Sequence, residues 1–166
     1  IAVGENYALA LRSDGTVWSW GQNTNGQLGD NTTVNKNRPV QVKGLDNVDV
    51  LTNIQYIAAG YDSSFAIDVT GVVYAWGINS NGKLGTGNTT QRNYPVTVLN
   101  GRGTGIMDNV VEVSSSKYHT LFLNKQGEVW ATGDGTNGQL GDGRSTTSST
   151  PVRVYNSDKT DYLTAF

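Results

Sequence analysis

The chain has 166 residues, 36% of them hydrophobic and 16% charged, with 21 glycines and three prolines, a composition that indicates a loop-rich globular protein and excludes a disordered or collagen-like one. Twelve basic against 14 acidic residues give a net charge of −2 without any run of Lys or Arg, so nucleic-acid binding is not indicated. No apolar run reaches the roughly 18 residues of a membrane span, and the lack of cysteine excludes disulfides and thiol chemistry.

A segment of 13 residues occurs three times at a spacing of 56 residues. It reads WSWGQNTNGQLGD from Trp18, YAWGINSNGKLGT from Tyr74 and WATGDGTNGQLGD from Trp130. Over the whole 56-residue period ten positions are identical in all three repeats, five of them within this segment, and no insertion interrupts the register. A fixed period of this kind is typical of repeat proteins, in which each unit buries its apolar face against its neighbours. The predicted repeats are 1–56, 57–112 and 113–166.

Each repeat predicts four β-strands in the same order. In the first repeat the short run IAVG precedes YALALR, in which large apolar residues alternate with small or polar ones as in a half-buried strand. The triplet SDG then predicts a turn, and TVWSWG predicts the second strand of a hairpin. The proline of PVQV lacks the N–H that a strand ladder needs, so the fourth strand is expected at a sheet edge.

The second and third repeats carry equivalent runs, IAAG and VSSS before the hairpin, VTG and KQG at its turn, and PVTV and PVRV after it. No segment has sustained 3.6-residue periodicity, so the sequence predicts an all-β chain without helices. Four short antiparallel strands per repeat, arranged radially, form a β-propeller blade.

The order of the motifs resembles a known repeat. An apolar strand is followed by Gly-x-x-(His/Tyr/Ser), Asp-Gly-x-Val-Trp-x-Trp-Gly, Asn-x-x-Gly-Gln-Leu-Gly and a later Pro-Val. This order resembles the repeat of the regulator of chromosome condensation family, and the resemblance covers the whole chain. It implies an all-β fold of β-propeller blades with four antiparallel strands each, three blades being present as part of a larger or oligomer-closed ring.

Three blades do not close a ring, and rings of this family usually have seven. Both end blades are therefore expected to present apolar faces that need a cover. The chain stops almost on a repeat boundary. Two explanations stay open: the chain is part of a longer protein, which is the favoured interpretation, or two copies join head to tail in a six-bladed ring. The isolated chain is expected to self-associate, most simply as a homo-dimer.

The repeated residues are expected to be structural, because a residue needed at every contact between blades must recur, whereas a binding residue need occur only once. The glycines allow a tight path with positive φ, and the leucines of the NGQLG and NGKLG motifs are expected between adjacent blades. All four tryptophans are interpreted as core residues. The residues with this expected structural role are Trp20, Gly21, Gly26, Leu28, Gly29, Trp76, Gly77, Gly82, Leu84, Gly85, Gly133, Gly138, Leu140 and Gly141.

Few residues suggest catalysis or metal binding. His119, the only histidine, occupies the position of Tyr7 and Ser63 in the other repeats, so a structural role is the simpler interpretation. Composition leaves a Ser-His-Asp arrangement open, but no Gly-x-Ser-x-Gly marks a nucleophile. The loop DGTNGQLGDG lacks the spacing of a calcium-binding loop. The sequence therefore predicts no catalytic residue, no metal and no cofactor.

The connections between the first and second strands are the better candidates for a binding site, because in a propeller they lie together on one face of the ring. Their mixed charge and aromatic side chains suit protein recognition, in which aromatic anchors contribute much of the binding energy. A solvated rim is the alternative. The candidate partner-binding residues are Glu5, Asn6, Tyr61, Asp62, Lys117 and Tyr118.

Three functions stay open. The favoured one is a non-catalytic scaffold that binds a protein of unknown identity through these loops. The resemblance also implies guanine-nucleotide exchange on a small GTPase, although the founding member inserts a wedge-like hairpin in one blade and no repeat here has an insertion. A carbohydrate-binding or hydrolytic propeller is the third. The compartment is not determined, and the abundance of Asn, Thr, Ser and Gly favours a secreted or surface protein only weakly.

Overall fold

The computed structural model describes residues 1–165, which form twelve strands in three antiparallel sheets of four strands each. Sheet 1 contains β1 (Ala2–Val3), β2 (Tyr7–Leu11), β3 (Val17–Gly21) and β4 (Lys36–Gln41). Sheet 2 contains β5 (Ile54–Ala59), β6 (Ser63–Asp68), β7 (Val73–Gly77) and β8 (Arg92–Thr97). Sheet 3 contains β9 (Val110–Ser115), β10 (His119–Asn124), β11 (Val129–Gly133) and β12 (Ser148–Arg153). Within every sheet the strands lie side by side in chain order, so the predicted all-β fold of propeller blades is confirmed.

Helical structure in residues 1–165 is limited to two short 3₁₀ turns, Leu45–Asn47 and Ser80–Gly82. No α-helix is present in this part of the chain, as the lack of helical periodicity predicts. Neither turn has the length and apolar character needed to cross a membrane.

The hairpin of sheet 1 has the register that the alternating pattern predicts, with Leu9 opposite Ser19. Asp14 closes its turn, because the carboxylate accepts hydrogen bonds from the backbone N–H of Thr16 at 3.0 Å and from the Thr16 hydroxyl at 2.6 Å. Gly15 has a φ of +80° in this turn, a value that glycine adopts without strain. The SDG triplet thus forms the turn that it predicts.

Strands β5 and β9 begin three residues before the runs IAAG and VSSS that predict them. The added residues lie along the hairpin turn of the preceding sheet. Ile54 N–H donates to the Gly15 carbonyl at 3.1 Å, and Val110 N–H donates to the Gly71 carbonyl at 3.0 Å. These strands therefore run across the predicted repeat boundaries after residues 56 and 112, and the boundaries themselves stay a prediction.

Strands β4, β8 and β12 each lie at one edge of their sheet, where the proline of the Pro-Val motif predicts them. Pro39, Pro95 and Pro151 are the prolines in these strands. Pro95 and Pro151 are buried because the preceding sheet lies against them, whereas Pro39 is exposed. The same residue type therefore differs in burial according to whether a sheet precedes its own.

The apolar core lies between the sheets, in two clusters. The cluster at the first junction, between sheets 1 and 2, contains Leu28 and Trp76. The cluster at the second junction, between sheets 2 and 3, contains Leu84 and the edge-to-face pair of Phe65 and Phe122, whose ring centroids are 6.2 Å apart. The three leucines of the repeated motif have no exposed surface: Leu28, Leu84 and Leu140.

Only one of the four tryptophans has the burial expected of a core residue. Trp76 has no exposed surface, whereas Trp18, Trp20 and Trp130 are half-buried. Trp18 and Trp20 lie on the side of sheet 1 that faces away from sheet 2, because alternate residues of a strand point to opposite faces. Trp130 packs at the margin of the second cluster. Trp20 and Trp76, which occupy the same position in the first two repeats, therefore differ in burial according to whether a sheet precedes their own.

Two repeated glycines, Gly26 and Gly82, let the loop after the third strand of one sheet contact the edge strand of the next. Their φ values are +72° and +73°, and a Cβ would lie 2.8 Å from Asn93 Cα at the first position and 2.5 Å from Ser149 Cα at the second. A larger residue would separate the sheets. The other repeated glycines of the motif with positive φ are Gly21, Gly29, Gly77, Gly85, Gly133, Gly138 and Gly141.

The two junctions differ in one buried polar contact. At the first, the side-chain amide of Gln27 donates to the Asp62 carboxylate at 3.2 Å. At the second junction Lys83 replaces the glutamine and has no exposed surface. Its Nζ donates a hydrogen bond to the Lys117 carbonyl at 3.0 Å. Burial lowers the pKa of Lys83 to about 8, Asp62 opposes this change, and the positive charge of Lys117 adds to it.

We expect Leu84→Ala to lower the free energy of unfolding by about 2 to 5 kcal/mol, because it opens a cavity in the second cluster that the sheets refill only in part. Leu45→Ala is the matched control, since this leucine is 42% exposed, and its effect should stay within about 0.5 kcal/mol. Urea unfolding at one protein concentration measures both. Equal losses in the two variants would contradict the core position of Leu84.

We expect Lys83→Gln, which introduces the residue found at positions 27 and 139, to stabilise the chain below pH 8. The Lys83 amine has a pKa of about 8 in the folded chain and 10.5 ordinarily, so the unfolded chain binds the extra proton between these values. Wild-type stability therefore rises with pH across this window, and the advantage of Lys83→Gln should shrink there by up to about 3 kcal/mol. Urea unfolding of both proteins at pH 7, 9 and 10.5 measures the difference, and a constant difference would contradict the lowered pKa.

Candidate functional site

The three connections that precede the hairpins have the same local structure. The backbone N–H groups of Gly4, Gly60 and Ser116 each donate to the carbonyl three residues later, at 2.9, 2.7 and 2.9 Å. This tight turn presents the two residues after its first position at the same end of each sheet. The residues that the sequence selects for partner binding therefore lie at one end of three neighbouring sheets.

Four of these residues form one continuous patch. The Tyr61 hydroxyl donates to the Glu5 carboxylate, and Glu5 N–H donates to the Tyr61 carbonyl at 3.1 Å. Lys117 Nζ lies 4.6 Å from the centroid of the Tyr61 ring and 5.5 Å from that of the Tyr118 ring, within cation–π range of both. We name Glu5, Tyr61, Lys117 and Tyr118 the loop patch. It spans all three sheets.

The loop patch combines both charges with two aromatic rings. Tyr118 is 48% exposed, and Glu5 and Lys117 are exposed as well. The hydrogen bond to Glu5 raises the pKa of Tyr61, with smaller contributions from burial and from the negative charges of Glu5 and Asp62. Tyr61 therefore stays a neutral hydroxyl that holds the Glu5 carboxylate in place. The side chains fix one another before any partner arrives.

Asp62 and Asn6 have a different environment from the loop patch. Asp62 is half-buried, and its carboxylate accepts hydrogen bonds from Asn25 Nδ2 at 3.3 Å and Gln27 Nε2 at 3.2 Å. Both donors belong to the loop after β3, so Asp62 holds sheets 1 and 2 together. Asn6 is exposed, and its carbonyl accepts the Gln22 N–H at 2.9 Å. Of the six selected residues, these two lie beside the patch rather than within it.

Lys83, a buried polar residue below the patch, was not predicted from the sequence to lie near the site. Lys83 lies under Lys117 and binds its carbonyl. The signal was present, because Gln27 and Gln139 occupy the same position in the other repeats and lysine is the exception. A buried charge is tolerated only when it finds a hydrogen-bond partner, and here that partner is the backbone of the patch itself.

His119 lies next to the patch in a local hydrogen-bond arrangement. Its Nδ1 is 2.9 Å from the Ser116 hydroxyl. The same hydroxyl accepts the N–H groups of Tyr118 at 3.3 Å and His119 at 3.2 Å, so Ser116 closes the turn before β10. The Asp134 carboxylate is bound by the backbone N–H and hydroxyl of Thr136. Residues 1–165 contain no group of three or more His, Asp or Glu side chains placed to hold a metal ion.

A recess of about 570 Å³ lies at the opposite end of the strands from the loop patch, between sheets 2 and 3. Arg153 is one of the residues that line it. Its guanidinium lies 4.1 Å from the Tyr162 ring and 5.6 Å from the Trp130 ring, and Nη1 is 3.0 Å from Glu128 Oε1. Gly101 lies against the Trp130 ring. These contacts pair the charge of Arg153 within the fold, although its buried Nε has no hydrogen-bond partner in residues 1–165.

The repeat itself identifies the family. A sequence model described as the regulator of chromosome condensation (RCC1) repeat matches residues 14–67, 70–123 and 126–163. A second model with the same description matches residues 54–83 and 110–139. Together the three matches of the first model cover most of the chain.

Similar proteins are longer than this chain. The human E3 ubiquitin-protein ligase HERC2 is 34% identical over 151 residues, which are 91% of this chain and 3% of that protein. The probable human E3 ubiquitin-protein ligase HERC3 is 34% identical over 155 residues, 93% of this chain and 14% of that protein. The ultraviolet-B receptor UVR8 of Arabidopsis thaliana is 32% identical over 143 residues, which are 86% of this chain and 31% of that protein. The chain spans less than a third of each relative.

Solved structures have the same fold. Human WBSCR16 superposes with a TM-score of 0.75 at 26% identity, over 91% of this chain and 36% of that one. Yeast RCC1 (Prp20), solved bound to Kap60, superposes with a TM-score of 0.74 at 22% identity, over 93% of this chain and 37% of that one. With three tandem matches to the repeat and three four-stranded sheets in the arrangement of these structures, the chain belongs to the regulator of chromosome condensation repeat family and forms blades of its β-propeller.

Proposed function

We propose that this chain is a non-catalytic protein-interaction scaffold that binds a protein partner through the loop patch. The observation that carries the proposal is the continuity of the patch, in which Glu5, Tyr61, Lys117 and Tyr118 form one chain of contacts across three sheets. A repeated frame with different residues at equivalent loop positions is suited to recognition, because the frame fixes the loops while their side chains set specificity.

The chemistry of the patch favours a protein partner. Exposed tyrosine contributes a large contact area at low cost in side-chain entropy, and it is frequent among the residues that dominate binding energy. Lys117 between two tyrosine rings holds them in place, which reduces the entropy lost on association. The contributions come from three neighbouring sheets, so the patch suits an extended protein surface better than a small ligand.

Proteins with the same fold bind other proteins, which supports the proposed class of function. Yeast RCC1 (Prp20) was solved bound to Kap60, and Prp20p from Saccharomyces cerevisiae binds Gsp1p and histones. At 22% and 20% identity these likenesses show the fold alone, so no partner is carried over. Nucleotide exchange on a GTPase and carbohydrate binding stay alternatives, and nucleotide-release and glycan-array assays test them directly.

The partner can be sought by photo-crosslinking from position 118, with position 162 as the control. Tyr162 is 39% exposed, close to the 48% of Tyr118, but lies at the opposite end of the strands. A protein captured from position 118 and not from position 162 is then purified for binding measurements. Capture of the same proteins from both positions would contradict a site at the loop patch.

For that purified partner, Tyr118→Ala should weaken binding at least tenfold, about 1.4 kcal/mol, because an aromatic anchor is lost. Lys117→Glu should weaken it as well, since it reverses a charge and removes the contact with both rings. Tyr162→Ala should change the dissociation constant less than twofold. Calorimetry measures all three, circular dichroism checks that they are folded, and equal effects of the two tyrosine variants would overturn the proposal.

A further inference from the structure

The recess between sheets 2 and 3 has a smaller equivalent between sheets 1 and 2. That recess, of about 320 Å³, is lined by the connection after sheet 1 and by residues of sheet 2, among them Tyr74, the counterpart of Trp130. Sheet 3 contributes no residue to it, so by the same spacing a sheet after sheet 3 is expected to contribute none to the larger recess. Ile106, the counterpart of Tyr162, is 49% exposed although sheet 3 follows it.

The larger recess lies where the chain departs from its own repeat. Arg153 stands where sheet 2 has Thr97, and Gly101 stands where the first connection has Leu45. A Cβ at Gly101 would overlap the Trp130 ring, so the glycine leaves room for that ring. A residue of the frame recurs in every repeat, whereas a binding residue need occur only once. The differences therefore indicate a site.

Aromatic rings hold the guanidinium of Arg153 in place. Its Cζ lies 4.1 Å from the centroid of the Tyr162 ring and 5.6 Å from that of the Trp130 ring. The Tyr162 ring is itself stacked on Tyr155, with 5.0 Å between the centroids and 12° between the planes. Contacts with rings restrict the guanidinium without using its N–H donors. Arg153 is therefore positioned with donors left for hydrogen bonds.

The fold does not supply enough acceptors for these donors. A guanidinium has five N–H groups. Nη1 of Arg153 lies 3.0 Å from Glu128 Oε1, whereas Nε is buried and has no hydrogen-bond partner in residues 1–165. The other oxygen of Glu128 already accepts a hydrogen bond from the Asn124 amide at 2.7 Å. Because the Arg153 side chain is 23% exposed, a ligand in the recess can contact its guanidinium.

A second arginine and an apolar floor complete the recess. Arg102 is exposed, and the ion pairs of the described chain do not include it. Its backbone is fixed, since its N–H donates to Asn100 Oδ1 at 3.1 Å. Met107 and Val110 line the same recess and are 5% and 1% exposed. Two guanidinium groups above an apolar floor suit an anion that carries an apolar group.

The acidic residues of the recess favour a carboxylate over a phosphate. Glu128 lies beside Arg153, and Asp108 lines the same recess. Both would repel a doubly charged phosphate more strongly than a singly charged carboxylate. The two oxygens of a carboxylate also match the fork of a guanidinium. The volume of about 570 Å³ lies within the range of small-molecule sites, about 300 to 1,000 Å³.

We propose that this recess binds a small organic carboxylate, whose oxygens accept hydrogen bonds from Arg153 and whose apolar part lies against Trp130. Arg102 adds a second positive charge at the same site. The recess is at the opposite end of the strands from the loop patch, so the two sites are independent. A free acid and the C-terminus of a peptide present the same chemical group, and the choice of probe distinguishes them.

Titration with benzoate, followed by the NMR signals of the tryptophan indole N–H groups, tests the site. The Trp130 signal is the one that Trp130→Phe removes. It should shift and reach saturation by about 20 mM benzoate. Benzamide has a similar shape without the charge and should bind at least tenfold more weakly. Equal binding of benzamide, or no saturable shift of the Trp130 signal with benzoate, would overturn the proposal.

Two further probes identify the anion. Inorganic phosphate should bind at least tenfold more weakly than benzoate, and phosphate binding of equal strength would contradict a carboxylate site. Acetyl-glycyl-phenylalanine, with its free carboxylate, represents a peptide C-terminus. Tighter binding of this peptide than of benzoate assigns the site to the end of a protein chain, and weaker binding assigns it to a free acid.

Arginine variants locate the contact. Arg153→Gln should weaken benzoate binding at least tenfold, and Arg102→Glu should weaken it several-fold because it reverses a charge at the recess. Arg38→Gln is the matched control, since Arg38 is an exposed arginine on β4 that does not line the recess, and it should leave binding unchanged. Circular dichroism checks the fold of each variant. Unchanged binding in folded Arg153→Gln, or in Arg102→Glu if Arg153→Gln does not fold, would exclude the proposed site.

Discussion

The structure depends on one constraint: each four-stranded sheet has apolar residues on both faces, and it buries both faces only when a sheet lies on either side. Sheet 2 meets this condition, with Trp76 on one face and Phe65 on the other, both without exposed surface. Leu28 and Leu84 pack in the clusters between sheets, and Gly26 and Gly82 allow the sheets to approach, so the repeated motif serves the same contact at both junctions. The repetition in the sequence is thus the repetition of an interface.

Local patterns were sufficient to predict most of the fold. The period-two alternation of apolar residues predicted the hairpins, Gly15 and its equivalents predicted their turns, and the prolines predicted the edge strands. The first residues of β5 and β9 were missed because Ile54 and Val110 bond to the turn of the preceding sheet, which no local pattern reports. The burial of Trp20 depends likewise on a neighbour, so its identity with Trp76 in the alignment of repeats could not reveal the difference.

The candidate site was predictable in position and less so in detail. The connection before each hairpin was the right place to look for neighbouring side chains, because equivalent loops of stacked sheets lie together. The sequence could not show that Asp62 turns towards Gln27, or that Tyr61 bonds Glu5, because these contacts join residues 35 and 56 positions apart. Lys83 could have been found by comparing the repeats, since a lysine at a position otherwise occupied by glutamine indicates a changed junction.

The prolines of the outermost strands have a consequence for how such a fold can grow. An exposed sheet edge is where an extended peptide adds a strand and where amyloid-like pairing begins. Each blade brings one outer strand, and in each the proline interrupts the row of N–H donors at the fourth of six positions. A duplication of the 56-residue unit therefore adds a blade without adding a continuous template for strand addition, so the number of repeats can increase without a matching increase in the risk of aggregation.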